Sequence, residues 1–263
     1  MPRAEQDADH HLTEYERAVC YYTLPRVVRP VTFGLVVAYT VCLVEAVAAL
    51  LIGLLVESRV WTLAGAFATA AIVLFGLIVF MVRALINEMR QRSALAEARG
   101  VPDVLEDNED FPDPFAGHLL LARPNGARGH LYACTENDST IRYFVSTGEH
   151  GRRWHIRDPQ DNEVCTAARA RRWTDVGFRT RIRVYRGEQL LGRIVREPGL
   201  NGPHAHVYDL AGETPREYVV RDNGIFFEGN LAGRIYALRG ACYLDIEQAH
   251  FNRALLAHFV SHT

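Results

Sequence analysis

Two long apolar runs separated by three polar residues constrain this chain of 263 residues more than any other feature. Between Arg29 and Glu57 the only charged side chain is Glu45, and between Arg59 and Arg83 there is none. An α-helix needs about 20 apolar residues to cross the hydrocarbon core of a bilayer. The runs Pro30–Val56 and Val60–Val82 therefore read as a transmembrane hairpin, because Glu57-Ser58-Arg59 is long enough only to reverse the chain. Arg17, Arg26 and Arg29 precede the first run, Arg83, Arg90, Arg92 and Arg99 follow the second, and the loop between them carries only Arg59. The positive-inside rule then predicts a multi-pass membrane protein with its N- and C-termini in the cytoplasm. About 30 mixed polar residues precede the first run, which argues against a cleaved signal peptide.

The sequence divides into four parts. Residues 1–29 form an N-terminal cytoplasmic segment. Within it Leu12, Tyr15, Val19 and Tyr22 recur at the spacing of a short amphipathic helix that could rest in the membrane interface. Residues 30–99 form the hairpin, its second helix continuing past Arg83 through helix-forming residues until Gly100 and Pro102 stop it. Residues 100–116 are an acidic, proline-containing linker. Residues 117–263 change texture to short alternating runs punctuated by turns. In order these runs are 118–122, 130–135, 140–146, 153–157, 163–170, 179–186, 189–196, 204–210, 216–221, 224–228, 231–238 and 241–246. Strands at this spacing predict an all-β barrel or sandwich. The last segment, Phe251–Val260, has helical spacing and is apolar on nearly every side, as expected of a helix buried all round. The fold class is therefore α+β: a helical hairpin, then a β-domain with a hydrophobic C-terminal helix.

A repeat lies inside the β-domain. Val184–Val195 aligns without gaps on Ile225–Tyr236, each copy reading strand, polar turn and then Leu-x-Gly-Arg-Ile. Gly192 and Gly233, inside strands, predict bulges or close backbone approach.

Together with this repeat, Trp154-His-Ile-Arg-Asp158 with Glu163-Val, His206-Val-Tyr-Asp209-Leu-Ala-Gly212, Tyr243-Leu-Asp-Ile246 and Asn252-Arg-Ala-Leu-Leu-Ala257 resemble the tubby-like barrel of the LURP-one-related and phospholipid scramblase group. The resemblance covers about residues 118–263. It implies a twelve-stranded antiparallel barrel closed around the C-terminal helix. Unlike the scramblase branch, this chain has no proline-rich tract and no cysteine cluster. Its Asp245-Ile-Glu-Gln lacks the alternating oxygen ligands of a calcium loop.

Candidate site residues are few. Arg152, Arg153, Arg169, Arg171 and Arg172 form a basic stretch beside Trp154 and Trp173, a composition suited to anionic lipid. All 29 basic residues are arginine, which codon bias explains, so arginine content alone does not indicate a phosphate ligand. Glu45 falls near the middle of the first span, opposite about position 71 in an antiparallel hairpin and so within a turn of Thr69, where it would bond to Thr69 or to a neighbouring protomer; small residues Ala49/Gly53 and Gly65/Thr69 stand at helix-packing spacing. Five cysteines without a CxxC pair suggest neither a disulfide framework nor a zinc site, and His204 and His206 alone are too few for a metal. No phosphate-binding loop, nucleophile elbow or zinc-protease motif occurs. The expected protein is thus not an enzyme and uses no cofactor or metal. It is a membrane-anchored lipid- or partner-binding module whose partners are membrane lipids and, through the hairpin, further copies of itself, with no role for nucleic acid. The alternative is a scramblase-like lipid transporter with Glu45 lining a polar groove.

Overall fold

The computed structural model describes residues 12–27, 33–99, 113–124, 131–136, 140–148, 151–170, 179–199, 202–238 and 240–261. The acidic linker 100–112, residues 1–11 and the sequence-predicted site residues Arg171, Arg172 and Trp173 lie outside them. The chain forms two compact units, one made of residues 23–100 with 200–202, the other of 1–22, 101–199 and 203–263.

The smaller unit is the helical hairpin. A short helix, α2 (Leu24–Val27), is followed by α3 (Phe33–Leu55) and α4 (Arg59–Arg99). Both α3 and α4 are long and apolar enough to cross a membrane. The reversal uses Glu57 at φ 54° and Ser58, whose carbonyl accepts the first α4 bond from the Thr62 N–H at 3.0 Å. Glycine lets the two backbones meet. A Cβ on Gly53 would strike the backbone of Trp61 and Thr62, one on Gly65 the backbone of Leu50, and one on Gly76 the ring of Tyr39. The outward surfaces carry exposed Val41, Val44, Phe67, Leu74, Phe75 and Phe80.

The larger unit is a closed antiparallel barrel of twelve strands. They are β1 (His118–Pro124), β2 (Leu131–Glu136), β3 (Ile141–Thr147), β4 (Arg153–Arg157), β5 (Glu163–Ala170), β6 (Thr180–Arg186), β7 (Gln189–Gly199), β8 (Gly202–Asp209), β9 (Arg216–Arg221), β10 (Gly224–Phe227), β11 (Asn230–Leu238) and β12 (Ala241–Glu247). Each strand pairs with its sequence neighbours, and β1 with β12 closes the circle in the register Leu121↔Leu244. Closure leaves no sheet edge to protect. Eight strands enclose just enough room for side chains; twelve leave a wider lumen, here filled by α5 (Arg253–Ser261), which packs on β4, β5, β6 and β7. Every α5 residue from Ala254 to Ser261 is buried. That is the all-round burial its composition predicts.

The repeat forms two hairpins with the same defect in the same place. In β6–β7, Val184 pairs with Gly192 and Tyr185 with Leu190, leaving Leu191 extra. In β10–β11, Ile225 pairs with Gly233 and Phe226 with Leu231, leaving Ala232 extra. Each bulge turns its extra side chain into the core, and the glycine after it sits against another segment of the barrel. A Cβ on Gly192 would lie 2.7 Å from both the Ala254 Cβ and the Tyr208 carbonyl oxygen; one on Gly233 would lie 2.6 Å from the Asp245 carbonyl oxygen. Gly192→Ala and Gly233→Ala are each expected to cost about 1–3 kcal/mol by overpacking, read as a lowered denaturation midpoint.

The amphipathic helix of the N-terminal segment is α1 (Glu14–Ala18), opened by a reciprocal Thr13/Glu16 capping box and continued by a π-helical turn over Val19–Thr23. It belongs to the barrel's unit, not to the hairpin's. Its buried positions are Leu12, Glu16, Cys20 and Tyr21, whereas the sequence spacing pointed to Leu12, Tyr15, Val19 and Tyr22. The one-residue offset is already present at Glu16, in the regular turn of α1 before the π-helical residues begin.

Candidate functional site

Two clusters of charged side chains distinguish the barrel. The first is at the end where α5 stops. The last four carbonyls of any helix lack intrahelical partners, and inside a barrel no water replaces them. Here wall side chains reach each of the four. Arg196 donates to the His258 carbonyl at 3.2 Å, Arg123 to that of Phe259 at 3.1 Å, the Tyr132 hydroxyl to that of Val260 at 3.1 Å, and Arg196 again to that of Ser261 at 3.0 Å. Arg196 also donates to the Ser261 hydroxyl at 2.8 Å. Guanidinium groups at this end also complement the helix dipole. Arg123, only 3% exposed, lies on the inward-facing parity of β1 with Leu119 and Leu121, and its guanidinium stacks on the Phe259 ring 5.1 Å away.

The sequence-predicted basic residues extend this cluster outward. Arg152 and Arg169 are 17 residues apart in sequence, yet the Arg169 N–H donates to the Arg152 carbonyl at 2.8 Å, so the two stand side by side on the rim. Both are exposed, as is Arg153. The Arg169 guanidinium donates to the Thr180 hydroxyl at 3.0 Å. Burial pushes the pKa of Arg196 down to about 10, and Arg169 and Arg123 push it in the same direction. Arg169 at the rim and Arg123 at the helix end thus both raise the cost of charge on Arg196. Trp154 behaves differently from its neighbours. On the parity of Ile156 it is half-buried and packs against the core.

Within the hairpin, Glu45 is exposed on the α3 surface. The Thr69 hydroxyl donates to the Gly65 carbonyl of its own helix at 2.8 Å. The two are therefore not joined: the glycine contacts occupy the seam, and the carboxyl faces outward. On the barrel, His206 Nδ1 lies 2.7 Å from a Glu217 carboxylate oxygen and its ring 5.3 Å from that of His204. Among the described residues no three His, Cys, Asp or Glu side chains converge as metal ligands.

The second cluster was not legible beforehand. Asp245, on the outward parity of β12, has no exposed surface. Its carboxylate accepts from Arg17 Nε at 2.7 Å and Nη2 at 2.8 Å, and from the Tyr236 hydroxyl at 3.2 Å; His118 Nδ1 lies 2.9 Å from it. The Arg17 guanidinium also stacks on the Phe115 ring, 4.1 Å from its centroid. Burial opposes charge on Arg17, but the bond and charge of Asp245 prevail and raise its pKa. Burial and Asp245 together raise the Tyr236 pKa well above normal, so its hydroxyl remains a donor. A lone acid in the apolar run Tyr243-Leu-Asp-Ile246 was the one available signal of a buried partner.

Compared with known protein families and with curated proteins, the chain matches none. Among solved structures it is similar to the X-ray structure of an Arabidopsis thaliana protein, with 11% identity and a TM-score of 0.34, over 55% of this chain and 88% of that one.

The thiols separate by position. Burial pushes Cys134 and Cys165 up to about 12, while Cys42 is exposed on the hairpin. Arg196→Met is expected to leave buried helix-end carbonyls unpaired and to destabilise the barrel by about 1–3 kcal/mol. Alkylation of Cys134 and Cys165 at correspondingly lower denaturant is the measurement.

Proposed function

We propose that this chain is a membrane-anchored, non-enzymatic binding module whose tubby-like barrel, of the LURP-one-related and scramblase type, recognises anionic lipid headgroups or an acidic partner at its arginine-rich end. The adjacency of Arg152 and Arg169 at the rim, with Arg196 behind them, carries this reading. A phosphate or carboxylate there would accept the bidentate bonds guanidinium groups favour and relieve their mutual repulsion. The hairpin would supply the anchor, with both termini on the cytoplasmic side, where anionic lipid is enriched. The test uses full-length protein in neutral nanodiscs, mixed with vesicles containing or lacking phosphatidylserine. Wild type is expected to bind the anionic vesicles at low salt. Arg152→Ala/Arg169→Ala should weaken binding by about 2 kcal/mol, roughly thirtyfold, at about 1 kcal/mol per basic residue. Equal binding by both proteins, or none by either, would end this reading.

The exposure of Glu45 in the middle of α3 favours a second reading, lipid transport by hairpins assembled around a polar groove. Fluorescent-lipid scrambling in reconstituted vesicles should then be present in wild type and lost in Glu45→Leu. Absence of scrambling in wild type would leave the binding module alone.

A further inference from the structure

The Asp245 cluster has the anatomy of a peptide-docking site. Its receptor half is supplied by the barrel and by Phe115 just before it: a buried carboxylate held by the Tyr236 hydroxyl and His118, the aromatic face of Phe115, and a wall of Leu120, Tyr236 and Tyr243. Its ligand half comes from a segment 228 residues away. Arg17 enters as a bidentate guanidinium, and Tyr21 follows it, with ring centroids 5.7 Å from both Phe115 and His118 and under the Arg234 guanidinium. The ligand cannot be an independent folding unit. α1 has five residues, and a helix that short does not persist in water without something to pack on. The segment is joined to the barrel only through the hairpin and the chain on either side of it. Docking is therefore an association at an effective concentration set by that tether, not the closure of a local turn.

We propose that the outer wall of β11, β12 and β1 is a receptor for an arginine-bearing amphipathic helix, and that its resident occupant, residues 12–22, exchanges on and off it. The specificity lies in one guanidinium. A helix without arginine leaves Asp245 buried and unbalanced, whereas one with arginine followed by tyrosine at the fourth position restores both halves. Release frees the barrel from the segment that leads into α2 and leaves only the linker side of the hairpin attached to it. The same wall then becomes open to the N-terminal helix of a second copy.

The chain carries its own reporter. Cys20 lies on the docked segment and is buried, while Cys134 and Cys165 are buried inside the barrel. In full-length protein in nanodiscs, Arg17→Ala should speed alkylation of Cys20 about tenfold or more, since removing one partner of a buried ion pair strongly weakens the contact. Cys134 and Cys165 should stay as protected as in wild type. A fluorescent peptide of residues 12–24 should bind the Arg17→Ala protein and be excluded from wild type, whose site is filled; the same peptide carrying Arg17→Ala should bind neither. Unchanged Cys20 protection would overturn the proposal, as would failure of the arginine peptide to bind. Exposure of Cys134 and Cys165 together with Cys20 would also overturn it, making Arg17 a permanent part of the barrel core.

Discussion

A helix enclosed by a barrel must bring the partners for its own terminal carbonyls, and this requirement organises the larger unit. A helix end at a protein surface can leave those groups to water; α5 cannot, because every residue from Ala254 to Ser261 is buried. The wall answers with Arg123, Tyr132 and Arg196, whose bonds fall on successive carbonyls from His258 to Ser261. Arginine suits the task because one planar fork reaches more than one acceptor, as Arg196 does. The consequence is a barrel end with fixed positive charge that no carboxylate on α5 offsets. Asn252 solves the opposite problem at the other end, its side-chain oxygen accepting from the Leu255 N–H at 2.9 Å.

That structural demand also explains why a basic rim belongs at this end. Arg169 occupies the parity of Cys165 and Ala167, which point inward, but stands where β5 runs out. From there its charge acts on Arg196 and opposes the charge on that buried guanidinium. Arg152 is placed beside it by a backbone bond, so the pair needs no further contact to hold its spacing. The helix-capping arginines and the exposed ones form one basic cluster, buried at the helix end and exposed at the rim.

Most of this fold was legible as local pattern. In β6, Ile182 and Val184 face the core while Arg181 and Arg183 alternate with them, a signal that survives without knowledge of any partner. The glycines of the repeat announced bulges because glycine inside a strand has few other uses, and both bulges fall one residue before it. The apolar tail announced its burial for the same reason. What stayed hidden depended on contacts between distant segments. Arg123 reads as an ordinary strand residue until the position of α5 is known. Arg17 and Asp245 lie too far apart in sequence for any spacing argument to join them. The Glu45–Thr69 pairing suggested by counting along the hairpin fails because counting fixes height but not azimuth, and the glycine seam turns Glu45 outward.

The same contrast bears on where the barrel domain begins. Composition shifts at the linker, and a boundary there looks natural from the sequence. Yet β12 is buried on both faces, with Cys242, Leu244 and Ile246 inside and Tyr243 and Asp245 outside. An antiparallel strand in a soluble barrel ordinarily keeps its outer face polar and wet. Two-sided burial therefore implies a cover, and the described cover is Arg17 and the residues around it. Cutting the chain at residue 115 would remove that cover, taking the cation from Asp245 and opening the apolar wall around it to water. With residues 12–22 docked, the barrel unit is continuous in space and discontinuous in sequence, the hairpin being inserted between its first helix and its first strand.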